Sequence, residues 1–455
     1  MTRVAKMIND IVDQDPRSQC DVEGDRIRWF RACREIVEYL RRHAPRAEDE
    51  KLWASATHLM SNPTENSYLR SLGLLRRPYG LTRALETVLV GLVQPNPESS
   101  NASQTSFNFI DLFAGIGGFN LALTRSGGKC VFASEWDDAA RVTYAMNFGK
   151  IPFGDIRHFT RNGVIEKNQS IVYELIPKAD IITAGFPCQP FSQAGVTSRN
   201  FHGGKHGLNC EAQGTLFEDI LIVARATKPK VLLLENVSNL PRHDQGRTLG
   251  VIVREIEKSG YTVFPRLTQG KQSGWAVIDS QTVVAQRRRR VYIVCVRNDI
   301  VQKKGNFTFP TFDLPEPAFA LEGILKLDDS MSDRQKFNEY SISRKLWMSH
   351  LDRERRHKER GNGFRIGLVQ DLSGPAPTLV ARYYKDGKDC LIPNPYDPTL
   401  PPRMLSPREC AALQTFPIDF WIPKSRTSAY KQFGNSITVE VAARIVNAIA
   451  NQYLD

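Results

Sequence analysis

The sequence predicts an α/β fold built on a doubly wound, mostly parallel sheet, and three observations predict it. Between Phe107 and about Asn298, short apolar runs alternate with helix-patterned segments. The first run passes directly into a glycine-rich turn, Gly115-Ile116-Gly117-Gly118, and then into a helical segment. The runs Ile181–Ala184 and Val231–Leu234 are apolar without alternation, as strands covered on both faces are.

Each element follows from its composition. Residues 1–94 read as a helical extension. Ile27, Phe30, Ile36, Val37 and Leu40 recur at helical spacing within Ile27–Arg42, and Ser71–Val93 forms a second helical region broken at Pro78-Tyr79-Gly80. Residues 95–106, rich in Pro, Ser and Asn, read as a linker. The sheet domain spans 107–298, with strands expected at Phe109–Phe113, Cys130–Ser134, Ile181–Ala184, Val231–Glu235, Thr262–Pro265 and Val291–Val296. Residues 299–425 lose the alternation and gain Pro, Gly, Arg and aromatics, which predicts a smaller, irregular domain. Residues 426–455 return to the sheet domain through an amphipathic helix, Ser436–Tyr453, bearing Val439, Ala442, Ile445, Val446 and Ile449.

Composition narrows the class. Of the 455 residues, 41% are hydrophobic and 24% charged, an ordinary globular balance with room for more than one domain. No stretch reaches the roughly 18 apolar residues of a membrane span, and charges stand too early in Met1–Lys6 for a secretory leader. The eight cysteines include no Cys-x-x-Cys pair, so the expectation is free thiols, no metal, no membrane partner and a cytoplasmic protein. Residues 1–104 hold 15 Lys and Arg against 14 Asp and Glu, and the remainder 46 against 35, so the excess of the +12 chain lies after residue 104. Such a surplus suits a polyanion; a solvated basic surface is the other reading.

The sharpest local signal is Gly185-Phe186-Pro187-Cys188-Gln189-Pro190. Proline cannot donate to a sheet ladder and restricts the residue before it, so the strand stops and Cys188 sits on a stiff turn at its carboxyl end. Open α/β sheets place their chemistry at that edge. A lone thiol is more often structural and buried, but the flanking prolines and neighbouring motifs point to a nucleophile.

A second constellation describes an adenosine pocket. Gly115 and Gly117 let a ligand approach the backbone ahead of a helix N-terminus, although tight strand-to-helix packing alone can require such glycines. The next strand ends at Glu135-Trp136, and Glu135 lies twenty residues after Gly115, where an acidic residue holds a ribose hydroxyl pair. Asp155-Ile156, read as a third strand end, can accept from an adenine amino group and pack its ring. Phe113 and Trp136 supply apolar walls.

Glu235-Asn236-Val237 ends another buried strand at the same sheet edge as Cys188, a setting that can raise the Glu235 pKa. A solvated acid or helix cap is the plain alternative. Four arginines, Arg287–Arg290, precede the strand Val291–Val296, and alternation puts Arg288 and Arg290 on one side.

These motifs in this order resemble the DNA (cytosine-5)-methyltransferase family. They run from Asp111-Leu112-Phe113-Ala114-Gly115 through Pro187-Cys188-Gln189, Glu235-Asn236-Val237 and Gln286–Arg290. They close with Arg403–Cys410 and Gln432-Phe433-Gly434-Asn435-Ser436. The resemblance covers about residues 107–452 and implies a Rossmann-like S-adenosylmethionine-dependent fold with a target-recognition domain. It implies that Cys188 adds to carbon 6 of cytosine, that Glu235 binds or protonates ring nitrogen 3, and that Arg288 hydrogen-bonds the ring oxygen. Arg290 then positions the loop or Glu235. S-adenosylmethionine, leaving as S-adenosylhomocysteine, is expected against Phe113, Gly115, Gly117, Glu135, Trp136, Asp155, Ile156, Pro187, Leu216, Asn435 and Ser436.

Cytosine in a duplex hides both faces, so the base must be flipped out. The glycine-rich stretch Ser192–Gly214, with Ser192, Arg199 and Lys205, reads as a loop that closes over DNA. The segment Pro377–Gly387 resembles recognition regions of bacterial enzymes that modify CCGG, CCWGG or CCNGG sites. Arg382 is expected to read a guanine edge, Thr378 to position backbone and Lys385 to touch phosphate, with phosphate contact the alternative for Arg382. The implied partners are double-stranded DNA, bound by a monomer, and a restriction endonuclease of the same site, unless the enzyme is an orphan. In a bacterium it would be nucleoid-associated when on DNA. The extension could bind DNA, regulate its own gene or be inert. An RNA cytosine methyltransferase and a non-catalytic DNA-binding regulator are the rival readings. The large domain between Asn298 and Arg403 speaks against the first, and intact Cys188, Glu235 and Arg288 against the second.

Overall fold

In the computed structural model, the residues described are 106–148, 152–160, 176–186, 216–265, 274–315, 318–328, 331–361, 365–386, 388–397 and 399–454. The expected extension 1–94 and the linker up to residue 105 lie outside them, as does the loop Ser192–Gly214. The described chain forms two units. One holds the chain up to Ala276, Val291–Thr308 and the chain from Ile449; the other holds Val277–Arg290 and Phe309–Ala448.

In the first unit, β1 (Phe107–Leu112) turns through glycines into α1 (Gly118–Arg125), then β2 (Gly128–Ser134) and α2 (Asp138–Phe148). Next come β3 (Ile181–Gly185), α3 (Leu216–Thr227), β4 (Val231–Val237), α4 (Arg247–Lys258) and β5 (Tyr261–Phe264). Then β6 (Ala276–Asp279), of which Val277–Asp279 belong to the second unit, precedes β7 (Arg289–Arg297) and α5 (Asn298–Lys304). The seven strands make one sheet in the order β2-β1-β3-β4-β7-β5, with β6 paired to β7. The β1–β2, β1–β3 and β3–β4 pairs are parallel, whereas β5 runs antiparallel to β7. All six expected strands are present. The seventh, β6, is four residues long with one buried side chain, too short to show a period.

The apolar runs behave as strands covered on both faces should. Ile181–Ala184, Val231–Leu234 and Val291–Val296 are buried along their whole length. Helix α4 meets the core through Leu249, Ile252 and Ile256, spaced three and four apart, and leaves its charged face to water. At about 1.5–3 kcal/mol per buried aliphatic side chain, these runs are the principal stabilising component of the sheet.

The second unit contains α6 (Leu321–Lys326), α7 (Asp333–Tyr340), α8 (Arg344–Glu359), α9 (Pro407–Leu413), α10 (Arg426–Asn435) and most of α11 (Val439–Ile449). The sequence reading of 299–425 as irregular missed α6 to α9, and α8 in particular because it is almost wholly polar and shows no apolar stripe. Their starts are nonetheless written locally. Ser332 with Gln335 and Ser406 with Glu409 form reciprocal capping boxes, and Ser343 and Ser425 cap α8 and α10. The five residues expected to face inward on the last helix, Val439, Ala442, Ile445, Val446 and Ile449, are all buried.

Beneath α9 lies a buried charged cluster. Arg403 makes a two-pronged bond to Glu409 at 2.7 and 2.9 Å, and Lys336 sits 3.6 Å from the same carboxylate. Ser406 donates its hydroxyl to Asp328 at 2.5 Å. The sequence motif Arg403–Cys410 is therefore first a structural element, in which the cations Arg403 and Lys336 meet the Glu409 carboxylate away from water.

Candidate active site

The glycine turn after β1 is built around a carboxylate. Phe113, Gly115 and Gly117 take φ angles of 55°, 55° and 90°. At Gly117 a Cβ would lie 2.1 Å from the Phe148 ring, whereas at Gly115 it would meet open space. Conformation alone therefore selects glycine at 115, and its surface stays open to an approaching ligand. The Gly115 N–H donates to Oε2 of Glu135 and the Asp137 N–H to Oε1, each at 2.8 Å. Burial pushes the Glu135 carboxyl above its usual pKa, with the two amides pulling the other way. A carboxylate has further lone pairs beyond those two. Beside it, Trp136 is 74% exposed, a large ring left in water.

The segment carrying Asp155 is docked against the end of β2. Glu135 donates its N–H to the Phe153 carbonyl at 2.8 Å, Ser134 donates its hydroxyl to Gly154 at 2.7 Å, and Phe153 stacks on Phe132. This is one parallel bridge, Ser134 to Phe153, and not the strand expected before Asp155. The reason is that the chain turns helical again by Arg157. Asp155 accepts from the Arg157 N–H at 2.9 Å and from its guanidinium. Ile156 is buried, while Phe113 and Leu216 are half-buried and pack against the core from its rim.

Below this turn Asp111 is fully buried. The Thr183 hydroxyl donates to its Oδ1 at 2.9 Å, and burial, reinforced by the Glu135 charge, pushes its pKa up to about 7. Asn120 donates to the Tyr144 hydroxyl at 2.6 Å in the same layer.

At the carboxyl edge of the central strands, Gly185 of β3 stands opposite Glu235 of β4. A Cβ on Gly185 would come 3.6 Å from Oε2 of Glu235, so the carboxylate lies over that glycine. Asn236 is buried, and its side-chain amide donates to the Phe186 carbonyl at 2.9 Å, tying the approach to the Pro-Cys-Gln turn onto β4. Pro187 and Cys188 lie outside the described residues, as do Ser192, Arg199 and Lys205.

In the second unit the arginine run alternates as expected: Arg287 and Arg289 are exposed, Arg288 is buried and Arg290 half-buried. Arg288, however, is committed to the main chain. Its guanidinium donates to the carbonyls of Leu379 at 2.6 Å, Gly434 at 3.1 Å and Ser436 at 2.5 Å. The expectation that it hydrogen-bonds a ring oxygen therefore meets a side chain already holding together three stretches of its own unit. Gln286 joins the same knot, accepting from Leu379 N–H at 3.0 Å and donating to Leu413 at 2.9 Å. Gly434 is required there, because a Cβ would lie 2.3 Å from the Val380 carbonyl oxygen. Asn435 is exposed and Ser436 half-buried at the end of α10. Thr378 donates its hydroxyl to the Arg287 carbonyl at 2.5 Å. Arg382 and Lys385 are exposed on a short helical turn.

Residues 107–451 match the family described as C-5 cytosine-specific DNA methylase. The chain belongs to this family. A DNA-cytosine methyltransferase of Escherichia coli (strain K12) is 37% identical over 372 residues, covering 76% of this chain and 77% of that one. The type II methyltransferase M.HpaII of Haemophilus parainfluenzae is 36% identical over 379 residues, covering 78% of this chain and 94% of its own. The solved structure of the Entamoeba histolytica methyltransferase EhMeth shares the fold, with a TM-score of 0.52 at 17% identity over 76% of this chain and 98% of that one.

As a member of this family the chain is a DNA (cytosine-5)-methyltransferase of the S-adenosylmethionine-dependent class, with type II restriction-modification methyltransferases among its relatives. The described cysteines do not compete for the chemistry. Cys130, Cys295, Cys390 and Cys410 are all buried, and burial pushes the last three thiols well above the usual range. Among the described residues no group of His, Cys, Asp or Glu is arranged to hold a metal, and no helix is long and apolar enough to cross a membrane. The sequence motifs include Asp111 and Asn236, but sequence reasoning gave no role to either, nor to Arg157. Only Asp111 had a signal, a charged residue inside an apolar strand.

Proposed function

We propose that the methyltransferase acts on a cytosine flipped out of duplex DNA, with Cys188 as the nucleophile that adds to carbon 6. One observation carries this reading: the β3–β4 register sets Glu235 opposite Gly185, and Cys188 follows Gly185 by three residues. A thiolate adding to carbon 6 turns an unreactive ring into an enamine whose carbon 5 attacks a methyl donor. Glu235 holds ring nitrogen 3 and stabilises the charge that develops there. Loss of the carbon 5 proton then expels the thiolate and restores the ring. The buried tie from Asn236 to Phe186 supports a turn fixed in place. Because Arg288 gives two of its three guanidinium nitrogens to main-chain carbonyls, Arg290 is assigned the hydrogen bond to the ring oxygen, and Arg288 becomes the residue that positions it.

The turn at 113–117 fits S-adenosylmethionine: Gly115 faces open space, the Glu135 carboxylate has acceptor capacity left, and the Trp136 ring is free in water. Bound there, S-adenosylmethionine supplies a methyl group on a sulfonium. Glu135 accepts from the ribose hydroxyls, Trp136, Phe113 and Ile156 pack the adenine, and Asp155 accepts from its amino group. Pro187, Leu216, Asn435 and Ser436 complete the set. Residues 107–298 act as the catalytic domain and 299–425 as the target-recognition domain. Arg382 reads a guanine, Lys385 touches phosphate, and Ser192, Arg199 and Lys205 close over the DNA of a monomeric complex. The likeness of Pro377–Gly387 to other recognition regions supports a site of the CCGG, CCWGG or CCNGG type, shared with a restriction endonuclease.

The test is labelled methyl transfer with bisulfite sequencing of DNA from cells expressing the wild type and Cys188→Ser. Methylated cytosines at one short site in the wild type and none in the variant are expected. Equal methylation by both would refute the role of Cys188.

A further inference from the structure

Helix α8 is the most basic exposed element among the described residues. From Arg344 to Arg360 the chain holds seven Lys and Arg against three Asp and Glu. It begins at a Ser343 cap and buries only His350 fully, with Leu346, Trp347, Glu354 and His357 half-covered along one stripe. Nothing in the family's motifs uses this helix.

Its charges are sorted by face. Lys345, Ser349, Arg353, Arg356 and Arg360 recur three and four residues apart, so they share one side of the helix, and all are exposed. No acid stands at those positions. Of the three acids of α8, Asp352 pairs with Arg355 at 3.0 Å, the half-buried Glu354 accepts from the Ile366 N–H at 2.9 Å, and Glu359 is exposed. Asp352 and Glu359 border this face, four and three residues from Arg356, so the face is predominantly cationic, with four cations at its centre.

We propose that this face of α8 binds the phosphate backbone of DNA outside the base pairs that are read, an inference that rests on DNA being the substrate. Arg353 to Arg360 spans about 10 Å along the helix, the axial rise of about three successive phosphates on one strand. Guanidinium groups at that spacing meet consecutive phosphate oxygens with charge-assisted hydrogen bonds and carry no sequence information. The helix thereby holds the duplex in register while other residues read bases.

The test measures binding of the full chain to a fluorescein-labelled mixed-sequence duplex of about 40 base pairs between about 0.05 and 0.2 M salt. The triple variant Arg353→Gln, Arg356→Gln, Arg360→Gln is expected to lower the slope of log K against log salt by about 2–3. A triple lysine variant at the same positions should restore it, since phosphate recognition tolerates either cation. Lys303→Gln with Lys304→Gln, on exposed α5, controls for net charge and should leave the slope where it was. A wild-type slope in the glutamine variant would overturn the proposal. So would relaxed site preference at an unchanged slope, which would mean the helix reads bases. Methyl transfer by the wild type is measured in parallel, so that loss of the DNA reading itself is seen separately.

Discussion

The Gly115 N–H and the Glu135 carboxylate meet at 2.8 Å across twenty residues of chain, and the other oxygen of that carboxylate accepts from Asp137. One buried acid thus fixes the end of the glycine turn and the start of α2 together. An amide in its place would set an NH2 group against one of the two N–H donors. Glu135→Gln is therefore expected to cost about 1–3 kcal/mol of stability and to weaken S-adenosylmethionine binding ten-fold or more. Calorimetric titration with the cofactor checks this, and wild-type affinity in the variant would remove Glu135 from the site.

Gly117 is constrained twice, by its φ of 90° and by the Phe148 ring 2.1 Å from any Cβ. Gly117→Ala should destabilise the protein by about 2–4 kcal/mol, the sum of left-handed strain and overpacking. Adding Phe148→Leu relieves the second cause and not the first. Urea unfolding should show about half the loss recovered in the double variant. Full recovery would mean that backbone strain contributes nothing.

Asp111 titrates near 7 when folded against 3.8 as its ordinary value. The folded state therefore holds an extra proton between those values, and this group's contribution to stability falls as pH rises from about 4 to 7, then levels. Asp111→Asn keeps an acceptor for Thr183 and removes the charge. Its stability relative to wild type should climb between about pH 4 and 7 by up to the order of 4 kcal/mol and change little above that. Denaturation midpoints across that range decide it; parallel curves for the two proteins would rule the group out.

Arg288 and Arg290 should separate stability from chemistry. Arg288→Ala leaves the carbonyls of Leu379, Gly434 and Ser436 without their donor and is expected to cost about 3 kcal/mol or more. Arg290→Ala should unfold within about 0.5 kcal/mol of wild type and lose kcat by 100-fold or more. Unfolding curves and single-turnover methyl transfer measure the two effects. The reverse pattern would return the ring oxygen to Arg288.

Much of this was legible because the signals are local. Val231–Leu234 and Val291–Val296 announce buried strands by their composition, and Gly115 with Glu135 announces a loop and its acid by spacing. The capping boxes at Ser332 and Ser406 sit in four-residue windows. What stayed hidden depends on partners far away in the chain. The role of Arg288 is set by carbonyls 91, 146 and 148 residues distant, and no feature of the arginine run reveals them. The single bridge at Phe153 passed for a strand end because one paired residue and a true strand share the same short sequence. Helix α8 hid for the opposite reason: it packs so little that it needs almost no apolar residues.

The unit containing the proposed recognition segment is not one stretch of chain. It is made from Val277–Arg290 as well as Phe309–Ala448, and Arg288 in the first piece grips Leu379, Gly434 and Ser436 in the second. Transplanting 299–425 from a relative as a linear cassette would pair one parent's arginine knot with the other's Leu379 and split the contacts at Gly434 and Ser436. On the proposed assignment, a change of DNA specificity by exchange therefore has to move the short hairpin before β7 and the two C-terminal helices along with the segment proposed to read the bases.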